Sequence, residues 1–137
     1  MTFPYIVNQV EFQSQIGEKP EIRFTPQPNG IVVGCYIVAM ESTFDNYHAE
    51  ECRGICFKNN KIASRPLHKF YNLNERNGVR EVDFDWSQVQ CVMPKRDGSM
   101  IHTVAVDNSP FSKIDQQSFD VKSKKSFSSD EIGRAHV

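Results

Sequence analysis

Lys95-Arg96-Asp97-Gly98-Ser99 is the stretch of this sequence best suited to covalent chemistry. An ammonium has no lone pair to give. A lysine whose pKa is lowered by neighbouring cations or by desolvation is an amine nucleophile. Such an amine can attack the α-phosphorus of a nucleoside triphosphate and form a phosphoramidate. Asp97-Gly98 would make the tight turn that presents it, because glycine adopts backbone angles other residues avoid. Taken alone, K-x-D-G is a weak signal, and a charged surface turn is its commoner reading.

Charge adds a second clue. The 137 residues carry 16 Lys and Arg against 17 Asp and Glu, a net −1. That excludes a uniformly basic nucleic-acid coat and an acidic, tail-like protein. The charge is segregated, however. Residues 53–80 hold seven basic side chains (Arg53, Lys58, Lys61, Arg65, Lys69, Arg76 and Arg80) and one acidic, Glu75, which makes the block +6. Residues 1–52 hold two basic and seven acidic side chains, and residues 81–137 hold seven and nine. A solvated face is the ordinary origin of such a run; a confined site for a polyanion such as a nucleotide is the specific one.

The remaining reactive residue types are less informative. Cys35, Cys52, Cys56 and Cys91 form no C-x-x-C pair, and neither a zinc site nor a disulfide framework is expected. Cys35, Cys56 and Cys91 lie in apolar runs, where buried thiols are common. His48, His68, His102 and His136 are scattered and read as structural.

The elements that must position these groups follow from pattern. At 39% apolar and 11% aromatic residues, the chain can build a core. Asn8-Gln9-Val10-Glu11 reads as a capped helix start, with a stop near Gly17. Pro20–Pro28 is extended, and the β-branched run Gly30–Met40 reads as a buried strand. Glu41–Glu50 is turn-rich. Cys52–Phe57 and Lys61–Ser64 form a hairpin around Asn59-Asn60, since Asn tolerates positive φ. Phe70 and Tyr71 alternate on a strand, Glu81–Trp86 is a strand or turn, and Val89–Met93 is a strand. Ser99–Val106 is a strand ending in a turn at Asp107-Asn108, and Ser118–Ser123 is its return. Many short strands and one clear helix predict an α+β fold dominated by antiparallel sheet. No apolar run approaches the ~20 residues of a membrane span, and the N-terminus lacks the pattern of a signal peptide. A cytoplasmic, membrane-free protein is expected.

Three ordered stretches carry a resemblance. Glu51-Cys52-Arg53-Gly54 is followed by Ala63-Ser64-Arg65-Pro66-Leu67-His68-Lys69-Phe70-Tyr71-Asn72-Leu73-Asn74-Glu75 and then by Lys95-Arg96-Asp97-Gly98-Ser99. In order and spacing these resemble the bacteriophage-type ATP-dependent RNA ligases, most nearly the ligase 1 type of T-even phages. Lys122-Ser123-Lys124 matches a further K-S-K element of that family. The resemblance runs from about Tyr36 to Lys124. It implies part of a nucleotidyltransferase (ATP-grasp-like ligase adenylation) domain over residues 1–130, with an AMP pocket between sheets.

The resemblance also implies roles. Lys95 would be the nucleophile that becomes AMP-lysine, with ATP and Mg²⁺ as cofactors. Arg53 would lie at the ribose and the lysine pocket, Lys69 on the phosphate side, and Tyr71 near the nucleotide. Gly98 would offer a backbone contact to AMP, and Lys124 would be a basic pocket residue, with Lys122 a second candidate. Tyr36 matches a nucleotide-proximal tyrosine by its spacing from Arg53; a core tyrosine is the competing reading. Arg65 is assigned a structural ion pair. No residue is assigned to metal. The partners implied are RNA 5′-phosphate and 3′-hydroxyl ends, the setting a phage-infected cell, and the whole protein a monomer. A DNA ligase or capping enzyme, or a noncatalytic nucleic-acid-binding module, are the alternatives.

Two departures from the family pattern stand out. Lys125 replaces the glycine that usually follows K-S-K, and the family's later acidic and lysine motifs are not found. Ile132–Val137 back-translates readily as ATC GGA AGA GCA CAC GTC, the start of a common sequencing adapter, with Glu131 supplying its first bases. Residues 131–137 are therefore expected to be an adapter-derived tail on a truncated ligase with little or no activity. Loss of later strands predicts exposed apolar surface.

Overall fold

The computed structural model describes residues 3–105 and 119–127. Helix α1 (Gln9–Ile16) starts where the Asn8 side chain accepts the Glu11 amide at 2.8 Å, which satisfies one of the orphan amides of the first turn. It stops at Gly17, whose φ of 76° lets its amide turn back to the Gln13 carbonyl. Phe12 and Ile16, four residues apart, share the buried face.

That face packs on a four-stranded antiparallel meander, β1 (Ile22–Pro26), β2 (Val32–Tyr36), β3 (Arg53–Lys58) and β4 (Lys61–Ser64), in the order β1-β2-β3-β4. Side chains on β3 alternate between two cores, as strand geometry requires. Ile55 and Phe57 join Phe12, Ile22 and Phe44 on the helix side. Cys56 joins Ile31, Val33 and Val104 on the other. The β3–β4 turn places Asn59 at φ 50° and Asn60 at φ 66°, the pair of positive angles that a two-residue hairpin needs.

A separate antiparallel pair, β5 (Ile101–Ala105) and β6 (Phe119–Ser123), lies on the second face, where Val104 enters its core. The described molecule is thus α+β and sheet-rich. A short helix, α2 (Tyr47–Glu50), is capped by Asn46 and lies in the long β2–β3 connection.

Several expectations need correction. The strand expected over Gly30–Met40 ends at Tyr36. The Ile37 amide bonds to the Glu21 carbonyl, and the Met40 amide is taken by the Thr43 hydroxyl in a turn. Lys69–Asn74 forms no ladder; the Lys69 amide bonds instead to the Glu50 carbonyl at 2.7 Å. For Glu81–Trp86, read as a strand or turn, the turn alternative holds: two 3-10 turns, Glu81–Asp83 and Trp86–Gln88. Val89–Met93 is not a strand either. Its β-prone residues have no partner strand among the described residues, and all are exposed, Cys91 included. Val82, Phe84, Trp86, Val89, Val92 and Met93 form the exposed apolar surface of this segment. The expected turn at Asp107-Asn108, His136 and the 131–137 tail lie outside the described residues. Among the described residues, no helix is long and apolar enough to cross a membrane.

Candidate active site

The site begins with a fault in the β2–β3 ladder. Gly34 faces Ile55 and Cys35 faces Arg53, so Gly54 is an extra residue with no partner. This is a β-bulge, and its glycine takes a φ of 103°. A Cβ here would fall 2.6 Å from the Lys124 carbonyl oxygen and 3.0 Å from Lys122 Nζ. Only glycine lets the end of β6 approach so closely. The E-C-R-G glycine is thereby explained: it brings the Lys122-Ser123-Lys124 segment against Arg53.

The same four residues hold the scaffold. Glu51 is buried and accepts from Arg65 Nε at 2.9 Å and from Nη2 at 2.8 Å, while Nη2 also donates to the Pro4 carbonyl. This bidentate ion pair is the structural role expected for Arg65. It joins the E-C-R-G strand to the A-S-R-P segment, and so places Arg53 relative to Lys69.

Arg53 lies where two hollows meet. Its Nη1 donates to the His68 carbonyl at 3.2 Å, and its guanidinium stacks over Phe70 at 4.9 Å. Its Nε is buried without a hydrogen-bond partner among the described residues. A buried donor left open is costly and points to a missing acceptor. On one side, Arg53 lines a cleft of about 390 Å³ with Gly98, Ser99, Met100, Ser123, Lys124 and Lys125. This cleft lies between the end of β6 and the approach to β5. On the other side, Arg53 lines a hollow of about 160 Å³ with Lys69, Phe70, Asn72, Glu75 and Lys95. The chain bends at Gly98, whose φ of 143° fits the expected turn.

Tyr36 lies beneath Lys124, whose Nζ is 3.8 Å from its ring centroid. Burial pushes the Tyr36 phenol up. The Lys124 hydrogen bond and the charges of Lys124, Lys69 and Arg53 outweigh it and hold the phenol below its ordinary value. Tyr36 is also packed edge-on against Phe44, so it serves the core and the site together. Tyr71 lines a third cleft, of about 490 Å³, with Phe44, Lys69, Glu75 and Arg76. Arg76 donates to its hydroxyl at 2.8 Å. Burial and the Glu50 charge raise the Tyr71 phenol to about 12. Lys69 connects this cleft to the Lys95 hollow and lies over both the Phe44 and Tyr71 rings.

The fold thus gathers Lys95, Arg53 and Lys69 in one hollow, and Arg53, Gly98 and Lys124 in the next. Tyr36 floors Lys124, and Tyr71 stands one cleft away. The +6 block divides: Arg53 and Lys69 serve the hollows, while Arg65 neutralises Glu51. Sequence reasoning missed Phe70, Asn72 and Glu75 as wall residues, although the K-F-Y-N-L-N-E stretch contains all three. It also missed the burial of Lys122, for which no local pattern gives a sign.

Comparisons with known proteins bear on the family. A family model described as RNA ligase matches residues 51–137. A Thermovibrio ammonificans protein named "Putative RNA ligase" is 33% identical over 81 residues, which cover 58% of this chain and 21% of the relative. The chain spans about a fifth of that relative's length.

Proposed function

The chain belongs to the RNA ligase family, and from that premise we propose that it carries the nucleotide-binding half-site and the nucleophile of an ATP-dependent RNA ligase. Lys95 Nζ, as the neutral amine, attacks the α-phosphorus of ATP. A P–N bond forms, the α–β P–O bond breaks, and pyrophosphate leaves with the electron pair. The adenylyl group then passes to an RNA 5′-phosphate, and a 3′-hydroxyl displaces AMP to seal the strand.

The single observation that carries this reading is the convergence on Arg53 of Lys95, Lys69, Gly98 and Lys124, from three separate sequence motifs. Fixed cations aimed at a triphosphate neutralise charge as it develops on the phosphoryl oxygens. The open Arg53 Nε suits an oxygen acceptor of the nucleotide. Among the described residues, no three His, Cys, Asp or Glu side chains gather into a metal-holding group. Mg²⁺, when bound, would supply charge neutralisation at the triphosphate oxygens, and no step is built on it. The ATP-grasp-like adenylation architecture is part of the same proposal.

The test uses protein expressed from its complete native gene and ATP labelled at the α-phosphate. Acid-labile label on the protein, lost in Lys95→Ala, is the expected result. Label from GTP instead would favour a capping enzyme, and sealing of nicked DNA but not RNA would favour a DNA ligase. Nucleic-acid binding that needs neither ATP nor Lys95, without label, would overturn the enzyme reading in favour of a binding module.

A further inference from the structure

Lys122 is fully buried, and no carboxylate partners it among the described residues. Its Nζ lies 2.6 Å from the Ser123 carbonyl, 3.2 Å from the Lys124 carbonyl, 3.3 Å from the Gly54 carbonyl and 3.0 Å from His102 Nε2. The Gly54 carbonyl is available because the bulge removes that residue from regular pairing. The ammonium has three N–H donors for these four acceptors, so one donor is shared between two of them. A lysine so deep in a protein is uncommon unless its donors are all used.

The tautomer of His102 is tied to both of its neighbours. Ser64 Oγ lies 3.4 Å from the Thr103 carbonyl and 3.3 Å from His102 Nδ1, with one proton to give. With Lys122 an ammonium, which can only donate, Nε2 is the acceptor and Nδ1 carries the proton toward Ser64 Oγ. A hydrogen-bonded line runs from Thr103 through Ser64 and His102 to Lys122, and crosses from β4 to β5 to β6. The other titratable groups acting on the pair are Cys56 on β3 and Cys35 on β2. Burial raises both thiols, Cys56 to about 11, so they stand neutral.

We propose that Lys122, held by neutral His102, is the positioning residue of the cleft: its ammonium clasps the Gly54 carbonyl beside Arg53 to the Ser123 and Lys124 carbonyls, and so sets the separation of the two cationic walls. The importance of that separation for ATP rests on the reading given above; the clasp does not. The opposite wall residue, Lys124, is carried directly on the clasped backbone, and Arg53 is bonded to Gly54. Loss of the clasp moves both.

Burial and the Lys122 charge press the His102 imidazole down to about 4. Histidine in an unfolded chain titrates near 6.5. Between those values the unfolded chain takes up a proton that the folded chain refuses, so the part of the stability linked to His102 falls as pH drops through that window and is constant above it. Protonation of folded His102 removes the acceptor and puts a second charge beside Nζ.

The test is made on the 137-residue chain by NMR of its histidine and arginine side chains, with ATP titrations in parallel. Expected are an Nδ1–H tautomer at His102 and a titration well below the ordinary histidine range. Lys122→Met should move that titration upward, shift the Arg53 Nε–H resonance and weaken ATP binding roughly tenfold, the scale of one lost charged hydrogen bond. The wild type should lose ATP affinity in acid; His102→Gln keeps an acceptor but cannot titrate, so that loss should flatten. An Nε2–H tautomer, or an ordinary His102 titration, would overturn the proposal. So would a folded Lys122→Met whose Arg53 resonance is unmoved. Should Lys122→Met fail to fold, the wild-type tautomer and titration decide the matter. Should the wild type bind no ATP, the nucleotide reading falls, while the tautomer and the Arg53 resonance still decide the clasp.

Discussion

The meander β1–β4 with α1 and the segment 73–100 make opposite use of similar side chains. In the meander, Phe12, Ile55 and Phe57 are wholly buried, and Glu51 and Arg65 neutralise each other inside. In the segment, Phe84 and Trp86 are exposed and their rings pack against each other. Its order comes from short-range polar contacts. Asp83 accepts from the Gly78 and Arg80 amides, Asp85 from Ser87, and the Trp86 indole donates to the Glu81 carbonyl. The first region carries Arg53 and, through Gly54, positions Lys124. The second carries Lys95. The proposed binding cation Arg53 is thus held by the core scaffold, and the proposed nucleophile lies on a segment with few buried side chains, which is expected to open more easily.

The largest effect should come from the meander. Phe57→Ala removes a ring from the main core and should cost about 3–5 kcal/mol in urea unfolding. A loss under about 1 kcal/mol would mean that this core is not the source of stability. Next, Glu51→Gln leaves Arg65 without its charge partner. Because the arginine is partly exposed, the expected loss is about 2 kcal/mol, below the figure for a fully buried pair. The double change with Arg65→Met should recover part of it. Smallest of all, Trp86→Ala and Lys95→Ala should each alter stability by no more than about 0.5 kcal/mol, as exposed sites do. Amide exchange draws the same contrast without substitution. Amides of β2 and β3 should exchange only on global opening, and those of residues 84–99 far faster. Equal protection in the two would erase the distinction.

The same contrast explains what could be read from sequence. The start and stop of α1 and the Asn59-Asn60 turn were legible because each depends on chemistry within a few residues: an amide acceptor, or tolerance of positive φ. Arg53, Lys69, Lys95, Gly98 and Lys124 were legible as hollow residues through motifs whose order and spacing are specific, while Phe70, Asn72 and Glu75 were not singled out. Val89–Met93 misled because β-branched residues report a preference, while a strand needs a neighbour. Cys91 misled with it. The Gly54 bulge and the burial of Lys122 were hidden for a deeper reason. Each gains its meaning only where β6, nearly seventy residues away, comes back against β3, and a lysine in a polar run looks like any surface lysine.

The most direct measurement is the site of adenylyl transfer. Protein from the complete native gene would be incubated with ATP and Mg²⁺, digested, and the AMP-bearing peptide identified by mass spectrometry. AMP on Lys95 alone, with none formed when Arg53 is replaced by alanine, is the expected result. AMP on a different residue, or an intact folded protein that forms no adduct with any nucleoside triphosphate, would contradict it.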